Sequence, residues 1–320
     1  MKLVVQVSCL DEEKTILTLL QEIPKKIKGI DDIDIVVVDD ACTDNTVAIA
    51  KKFGVKHFVY HAKIQGLAFG FRDALNKSLE IGADIIVHTD GDNQYPGRYI
   101  PDLVAPIVAG QADMVIADRQ TRKIDDFSAG KKLMQRIGTK VLNLAAGTQV
   151  PDAPSGFRAY SREAAIRLNV VTNFSYAMET LIQASHKRLM IATVPITVNP
   201  KARESRLFKS SWQHVRKSGA AIIRAFVMYR PLMLFMTLGI LLFLLGLIPF
   251  FRYLYLTISD HTNGLRHLQS LLAGSVLMIA SFIAFTLGVV ADLIRTNRIL
   301  IEESLTQQKH IRFDNNTRLK

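Results

Sequence analysis

Cysteine is scarce: Cys9 and Cys42 are the only two in 320 residues, and neither is expected to need a disulfide. The eight histidines show no ligand spacing, which argues against a zinc site. Glycine is missing where a dinucleotide-binding fold needs it. The turn after the first apolar run reads Ser8-Cys9-Leu10-Asp11-Glu12-Glu13, with no G-x-G-x-x-G, and a Walker A loop is absent as well. That first run, Leu3–Leu10, is short, contains Gln6 and Ser8, and stops at three acids. It reads as a strand and not as a secretory signal. Internal repeats and low-complexity linkers are also lacking. Tryptophan occurs once, at Trp212, where Lys209, Arg216 and Lys217 flank it as they would an interfacial anchor.

Charge is missing from two long stretches, Pro231–Phe251 and Leu268–Ala291. Each can cross the ~30 Å hydrocarbon core as a helix, so two transmembrane spans are expected. Cations crowd on either side of the pair. Arg203, Arg206, Lys209, Arg216, Lys217, Arg224 and Arg230 precede it; Arg295, Arg298, Lys309, Arg312, Arg318 and Lys320 follow it. The connecting segment 252–267 carries only Arg252 and Arg266 as firm cations. The positive-inside rule then puts both termini and the long amino-terminal part in the cytoplasm, with the protein a multi-pass resident of the cell membrane. The net charge of +11 could suggest nucleic acid, but cations beside spans favour anionic headgroups or a phosphorylated lipid. The expected organisation is a globular domain over 1–205, an amphipathic juxtamembrane helix over 206–230, a hairpin over 231–295 and a tail over 296–320. Phe127–Ala146, with Lys131, Lys132, Arg136 and Lys140 beside apolar residues, is a second amphipathic candidate.

The first two hundred residues alternate between strand and helix patterns. Val4–Val7, Ile33–Val38, Val55–Tyr60, Ile85–His88 and Met114–Ala117 read as strands. Helices are expected at about Glu12–Lys26, Asn45–Phe53, Gly66–Ile81 and Pro101–Ala109. This is an α/β pattern, a mostly parallel Rossmann-like sheet covered on both faces, whose ligands gather at the carboxyl ends of the strands. Acids converge there: Asp11 and Glu13, then Asp39-Asp40, then Asp90-Gly91-Asp92. Two carboxylates one residue apart at a strand end offer hard oxygens to Mg2+ or Mn2+ shared with a diphosphate. Gly91 frees the turn between them. By itself D-x-D is also an ordinary solvated turn.

Four segments together are more specific: the Asp11-Glu12-Glu13 turn, VVVDDACTDNT (Val36–Thr46), DGDNQYP (Asp90–Pro96) and SGFRAYSREA (Ser155–Ala164). With the two-span tail, they resemble the inverting GT-A glycosyltransferases of the polyprenyl-phosphate, dolichol-phosphate mannosyltransferase-like group, over about Lys2–Lys209. The resemblance implies transfer of one sugar from a nucleotide diphosphate sugar to the phosphate of a polyprenyl phosphate. UDP-hexose is the favoured donor, with GDP-mannose open. It implies nucleotide and donor contacts at Asp11, Glu13, Asp39, Asp40, Asp90 and Gln94, with Arg203 and Ser205 on a loop over the donor phosphates. It implies metal and diphosphate binding at Asp90, Asp92 and Gln94, an acceptor phosphate held by Arg119, Arg158 and Arg136, and an acid, Asp152, near the reacting centre. Asp92, Asp152 and Arg158 are the catalytic candidates, Asp152 as base or as an orienting group. Ser8, Asp11, Cys42 and Ala68 depart from the family's usual proline, asparagine, serine and glycine.

Each residue also has a plainer reading: arginines as surface cations or structural ion pairs, Asp152 as a turn residue beside Pro151 and Pro154, Glu179 as a helix carboxylate. Two other functions compete. A processive polysaccharide synthase would carry Q-x-x-R-W, but Gln213-His214-Val215-Arg216-Lys217 has lysine for tryptophan, and two spans are few for a polymer channel. A non-catalytic scaffold must explain intact DGD and SGFR segments. A homo-oligomer packed through the spans stays open.

Overall fold

The computed structural model describes residues 1–120, 129–171, 176–200, 227–259 and 268–318. The chain divides into two units, one of Met1–Gly219 with Glu302–Lys320, the other of Ala220–Ile301.

In the first unit the expected alternation is present: β1 (Lys2–Cys9), α1 (Ile16–Glu22), β2 (Asp32–Asp39), α2 (Thr46–Phe53), β3 (His57–Tyr60), α3 (Leu67–Glu80), β4 (Ile85–Asp90), α4 (Ile100–Val108) and β5 (Met114–Asp118). Then come α5 (Ala129–Ala146), β6 (Arg158–Ser161), α6 (Arg162–Arg167), α7 (Tyr176–His186) and β7 (Ile191–Pro195). Seven strands form one sheet in the order β3-β2-β1-β4-β6-β5-β7. Every pairing is parallel except those of β6, which runs against both β4 and β5. The chain lays β2 and β3 on one side of β1 and then β4 on the other, so the strand order reverses at β1. Parallel sheets collect ligands at such a crevice. The middle strands carry apolar residues on both faces because helices cover both: Val4, Val5, Val7, Ile85, Ile86 and Val87 are all fully buried, with Gln6 and His88 as buried polar residues among them.

Differences from the sequence pattern have local causes. α1 is shorter than Glu12–Lys26: Ile23, before Pro24, adopts extended backbone (ψ 120°), and Asp11–Thr15 is spent on the site's turn. β6 and β7, of four and five residues, are absent from the strands read off the periodicity, since β6 carries Arg158 and Tyr160 inward. α5 matches the amphipathic stretch 127–146.

The second unit contains α8 (Pro231–Ser259) and most of α9 (Leu268–Arg318). Both are long and apolar enough to cross a membrane. They pack through small residues: a Cβ on Gly239 would lie 2.6 Å from the Phe285 ring, and one on Gly246 would lie 3.2 Å from the Gly274 carbonyl. Ser281 Oγ donates to the Gly239 carbonyl at 2.8 Å. The sequence pattern ends the second span at Ala291 and sets 296–320 apart as a tail. The helix instead continues unbroken to Arg318, as no glycine or proline follows Gly288 to stop it. The juxtamembrane stretch 207–226 lies outside the described residues.

Candidate active site

Four strands end in turns that force a non-glycine residue to positive φ: Asp11 (52°) after β1, Ala41 (62°) after β2, Asn93 (54°) after β4 and Gln120 (47°) after β5. Such strain concentrates where a site needs particular groups displayed. Short side-chain-to-backbone hydrogen bonds hold each turn.

The β1 and β2 turns lock together. Asp11 Oδ1 accepts from the Thr43 N–H at 2.7 Å, and Cys42 Sγ accepts from the Asp11 N–H at 3.3 Å. Glu13 Oε2 accepts from the Asn45 N–H at 3.2 Å, while the Glu13 N–H donates to Asp44 Oδ2 at 3.0 Å. Asp39 Oδ1 accepts from the Cys42 N–H at 2.7 Å. The departures at Asp11 and Cys42 are therefore one paired feature. Burial and the neighbouring Asp39 and Asp44 push the Cys42 thiol up to about 12, so it stays a thiol. Asp11, Cys42 and Asp44 also bring ligand atoms within 4.8 Å of one another. The loop-to-loop hydrogen bonds account for that closeness.

Asp40, expected to touch the nucleotide, is only 8% exposed and has its carboxylate engaged. It accepts from the Gln65 and Gly66 N–H groups at 2.8 and 2.9 Å and meets His61 Nδ1 at 2.8 Å. Its work is to fold the loop after β3; Asp39, half-buried beside it, is the member of the pair left at the crevice rim.

The β4 turn presents Asp90 and Asp92. Gly91 is obligatory here: a Cβ would lie 2.8 Å from Cys9 Sγ and 3.1 Å from the Ser8 carbonyl. Its N–H donates to that carbonyl at 2.9 Å, and its own carbonyl accepts from Thr15 Oγ1 at 2.8 Å. Asp92 Oδ1 accepts from the Gln94 N–H at 3.0 Å. Asn199 clasps the turn by its N–H to the Gln94 carbonyl and its amide to the Asn93 carbonyl, both at 3.0 Å. Two half-exposed carboxylates, the Gln94 amide and a buried Asn93 Oδ1 without a hydrogen-bond partner make an all-oxygen donor set that suits Mg2+ or Mn2+.

Arg119 follows β5 and is held by Asp152. Its Nε donates to Oδ2 at 2.7 Å, its Nη2 to Oδ1 at 2.8 Å and its N–H to Oδ2 at 3.1 Å. Burial works against the guanidinium's charge, but Tyr95, Asp152 and Asp90 outweigh it and raise its pKa. Asp152, 3% exposed, has both oxygens on Arg119, the geometry of a group that orients an arginine.

Arg158 faces the interior. It is fully buried, and its guanidinium donates to the carbonyls of Ser155 (2.8 Å), Ala177 (2.7 Å) and Ala153 (2.6 Å) and to Thr180 Oγ1 (2.9 Å). It ties the SGFR segment to α7. Glu179, also buried, caps the Val171 N–H at 3.1 Å. Arg136 is exposed on α5, and Arg203 and Ser205 lie outside the described residues.

Sequence reading missed the layer beneath Asp90. His88, two residues back on the same face of β4, is fully buried, its ring edge-on to the stacked pair Phe71 (5.1 Å) and Tyr176 (4.9 Å). Burial, with Arg158 nearby, lowers its pKa to about 3. The alternation of β4 was the available signal, since side chains at i and i+2 share a face.

Residues 4–168 of this chain match the family described as Glycosyl transferase family 2. The chain belongs to glycosyltransferase family 2. This glycosyltransferase is 30% identical over 214 residues to the low-salt glycan biosynthesis hexosyltransferase Agl6 of Haloferax volcanii, a match covering 65% of this chain and 50% of that protein. The chain thus spans about half the length of that relative. It is 28% identical to a dolichyl-phosphate hexose transferase of the same organism, over 62% of this chain and 82% of that one. Its fold is that of glucosyl-3-phosphoglycerate synthase from Mycobacterium tuberculosis, solved with Mn2+, UDP and phosphoglyceric acid: TM-score 0.53, 22% identity, covering 71% and 77% of the two chains.

Proposed function

We propose that this family 2 enzyme moves one sugar from a nucleotide diphosphate sugar to the phosphate of a polyprenyl phosphate, with inversion at the anomeric carbon. The observation that carries the reading is the pairing at the carboxyl edge of the sheet of a carboxylate cluster, Asp39, Asp90 and Asp92, with one oriented arginine, Arg119 on Asp152. A relative named as a dolichyl-phosphate hexose transferase and two membrane-length helices support the acceptor class.

The chemistry needs no strong base. A phosphate monoester, with a second pKa of about 6, is largely ionised at neutral pH, so its oxygen attacks without help. What the protein must do is bring two polyanions together in line. Arg119 carries a permanent charge in a fixed direction and pairs with phosphate oxygens. Arg136 and Arg203 are further candidates for that task, and Ser205 for the donor phosphates. Asp11, Glu13 and Asp39 form the wall against which base and ribose are held. Asp90, Asp92 and Gln94 would hold Mg2+ or Mn2+, which neutralises charge on the departing diphosphate.

The deciding experiment is transfer of radiolabelled sugar from a panel of UDP- and GDP-sugars into organic-extractable lipid, using purified protein, polyprenyl phosphate and Mg2+. A one-sugar lipid from one donor, lost in Asp92→Ala, supports the reading and names the donor. A polymeric product would favour a synthase. Absence of both product and metal-dependent nucleotide binding would favour a scaffold.

A further inference from the structure

The chain leaves the catalytic unit after Gly219 and rejoins it at Glu302. The returning segment, the last turns of α9, is seated on the catalytic unit by a buried ring, hydrogen bonds and ion pairs. Phe313 is 1% exposed, and its carbonyl accepts from Arg162 Nη2 at 3.1 Å. Lys309 Nζ donates to the Leu168 carbonyl at 2.9 Å. Glu302 pairs with Lys187 at 3.4 Å, His310 with Glu163 at 3.4 Å and Arg312 with Glu80 at 2.6 Å.

The docking points share one location. Glu80 closes α3, Arg162 and Glu163 open α6, Leu168 follows α6, and Lys187 follows α7. Arg162 also donates by Nη1 to the Ala83 carbonyl at 3.1 Å and by its N–H to the Asp84 carbonyl at 2.8 Å, just ahead of β4. All of these lie at the amino end of β4, whereas Asp90 and Asp92 stand at its carboxyl end. The seat is the base of the sheet, at the opposite end of β4 from Asp90 and Asp92.

We propose that Glu302–Phe313 is an intramolecular clasp, by which the chain emerging from the membrane hairpin grips the base of the catalytic unit and gives it a second attachment. A domain held at two points samples fewer orientations than one held at a single point, which raises the effective concentration of a membrane-bound acceptor at its site. This last consequence rests on the proposed acceptor; the clasp itself does not.

Two readouts keep them apart. In the full chain in lipid nanodiscs, Glu80→Cys with Arg312→Cys is treated with a short bismaleimide, and single-cysteine variants serve as controls for Cys9 and Cys42. The expected product is a link within one chain. A link formed only between chains, or none, overturns the clasp. Hydrogen exchange then compares Phe313→Asp with Phe313→Leu. The aspartate is expected to speed exchange across Glu302–Phe313 and Arg162–Arg167 by about tenfold or more while the leucine leaves it near the parent rate. Equal, fast exchange of the tail in parent and both variants also overturns it. Given transfer activity, Phe313→Asp should raise KM for a long-chain polyprenyl phosphate several-fold, with kcat and the KM for a water-soluble short-chain acceptor unchanged. An equal loss with both acceptors would assign Phe313 to folding alone and reject the positioning role.

Discussion

Asp152 and Arg158 show how two residues with similar sequence credentials do different work. Asp152 has both oxygens on Arg119, so its contribution passes through the guanidinium. Removing one partner of such a buried pair strands the other, at a cost of about 3–5 kcal/mol. Asp152→Asn keeps the shape and one acceptor, so it should lose less stability than Asp152→Ala. It should still raise KM for the acceptor phosphate by roughly tenfold or more, since Arg119 loses its fixed direction. Donor binding, read as nucleotide diphosphate affinity by calorimetry, should barely change. A matching fall in donor affinity would place Asp152 in the donor site.

Arg158 should behave in the opposite way. Its guanidinium hydrogen bonds all end on protein groups, the carbonyls of Ser155, Ala177 and Ala153 and the Thr180 hydroxyl. Lysine, with three donors on one nitrogen, cannot reproduce the planar fork that reaches all of them. Arg158→Lys is expected to cost about 2–4 kcal/mol of stability, seen as a lower denaturation midpoint, because buried carbonyls lose their donors. Activity per folded molecule should stay within a few-fold of the parent at low temperature. A large fall in kcat with an unchanged midpoint would return Arg158 to the acceptor site.

At the scale of elements, the strands carrying acids were legible because a run of buried β-branched residues ending in Asp is a strong local pattern; β2, β4 and β5 are of this kind. β6 was legible only as a strand-like run around Arg158, because its arginine points inward and half of the groups that make that tolerable, the Ala177 carbonyl and the Thr180 hydroxyl, lie about twenty residues along the chain. The partners of Asp40 were hidden for a related reason. The N–H groups that occupy it belong to Gln65 and Gly66, far along the chain, and adjacency to Asp39 says nothing of them. The site was thus legible where strand ends decide it and hidden where long-range hydrogen bonds do.

The end of α9 offers a pH test at this scale. Lys309 is pushed down to about 8, by burial first and then by Lys187, which is itself paired with Glu302. Released, it would titrate near its ordinary 10.5. Between these values the released tail binds more protons than the docked one, so docking strengthens as pH rises from about 8 to about 10.5. Below about 8 the lysine is charged in both states and its burial is fully opposed. Lys309→Met should therefore dock more tightly than the parent at pH ~7 and lose this pH dependence. Proteolysis of the tail at fixed protease activity would read it, and a parent profile flat across the window from about 8 to about 10.5 would count against a buried Lys309.

For the whole molecule, the two helices supply length and the cations supply direction. α8, at 29 residues, is about 43 Å long, more than the ~30 Å needed. Apolar length alone does not say which side the catalytic unit faces. The segments flanking the pair hold most of the cations named above, while the connection between the helices carries Arg252 and Arg266. That bias favours a cytoplasmic position for both flanks. The proposed reaction asks for the same side, since a nucleotide sugar is a cytoplasmic metabolite and the rim must face its supply. The two arguments meet on one testable arrangement. A cysteine is placed in the connection (Asn263→Cys) or in the tail (Thr317→Cys), and the parent, with its own Cys9 and Cys42, sets the background. An impermeant maleimide added to intact cells should label Asn263→Cys alone. Thr317→Cys should react only after the membrane is opened. Labelling of Thr317→Cys in intact cells would put the tail, and with it the clasped catalytic unit, on the wrong side for its donor.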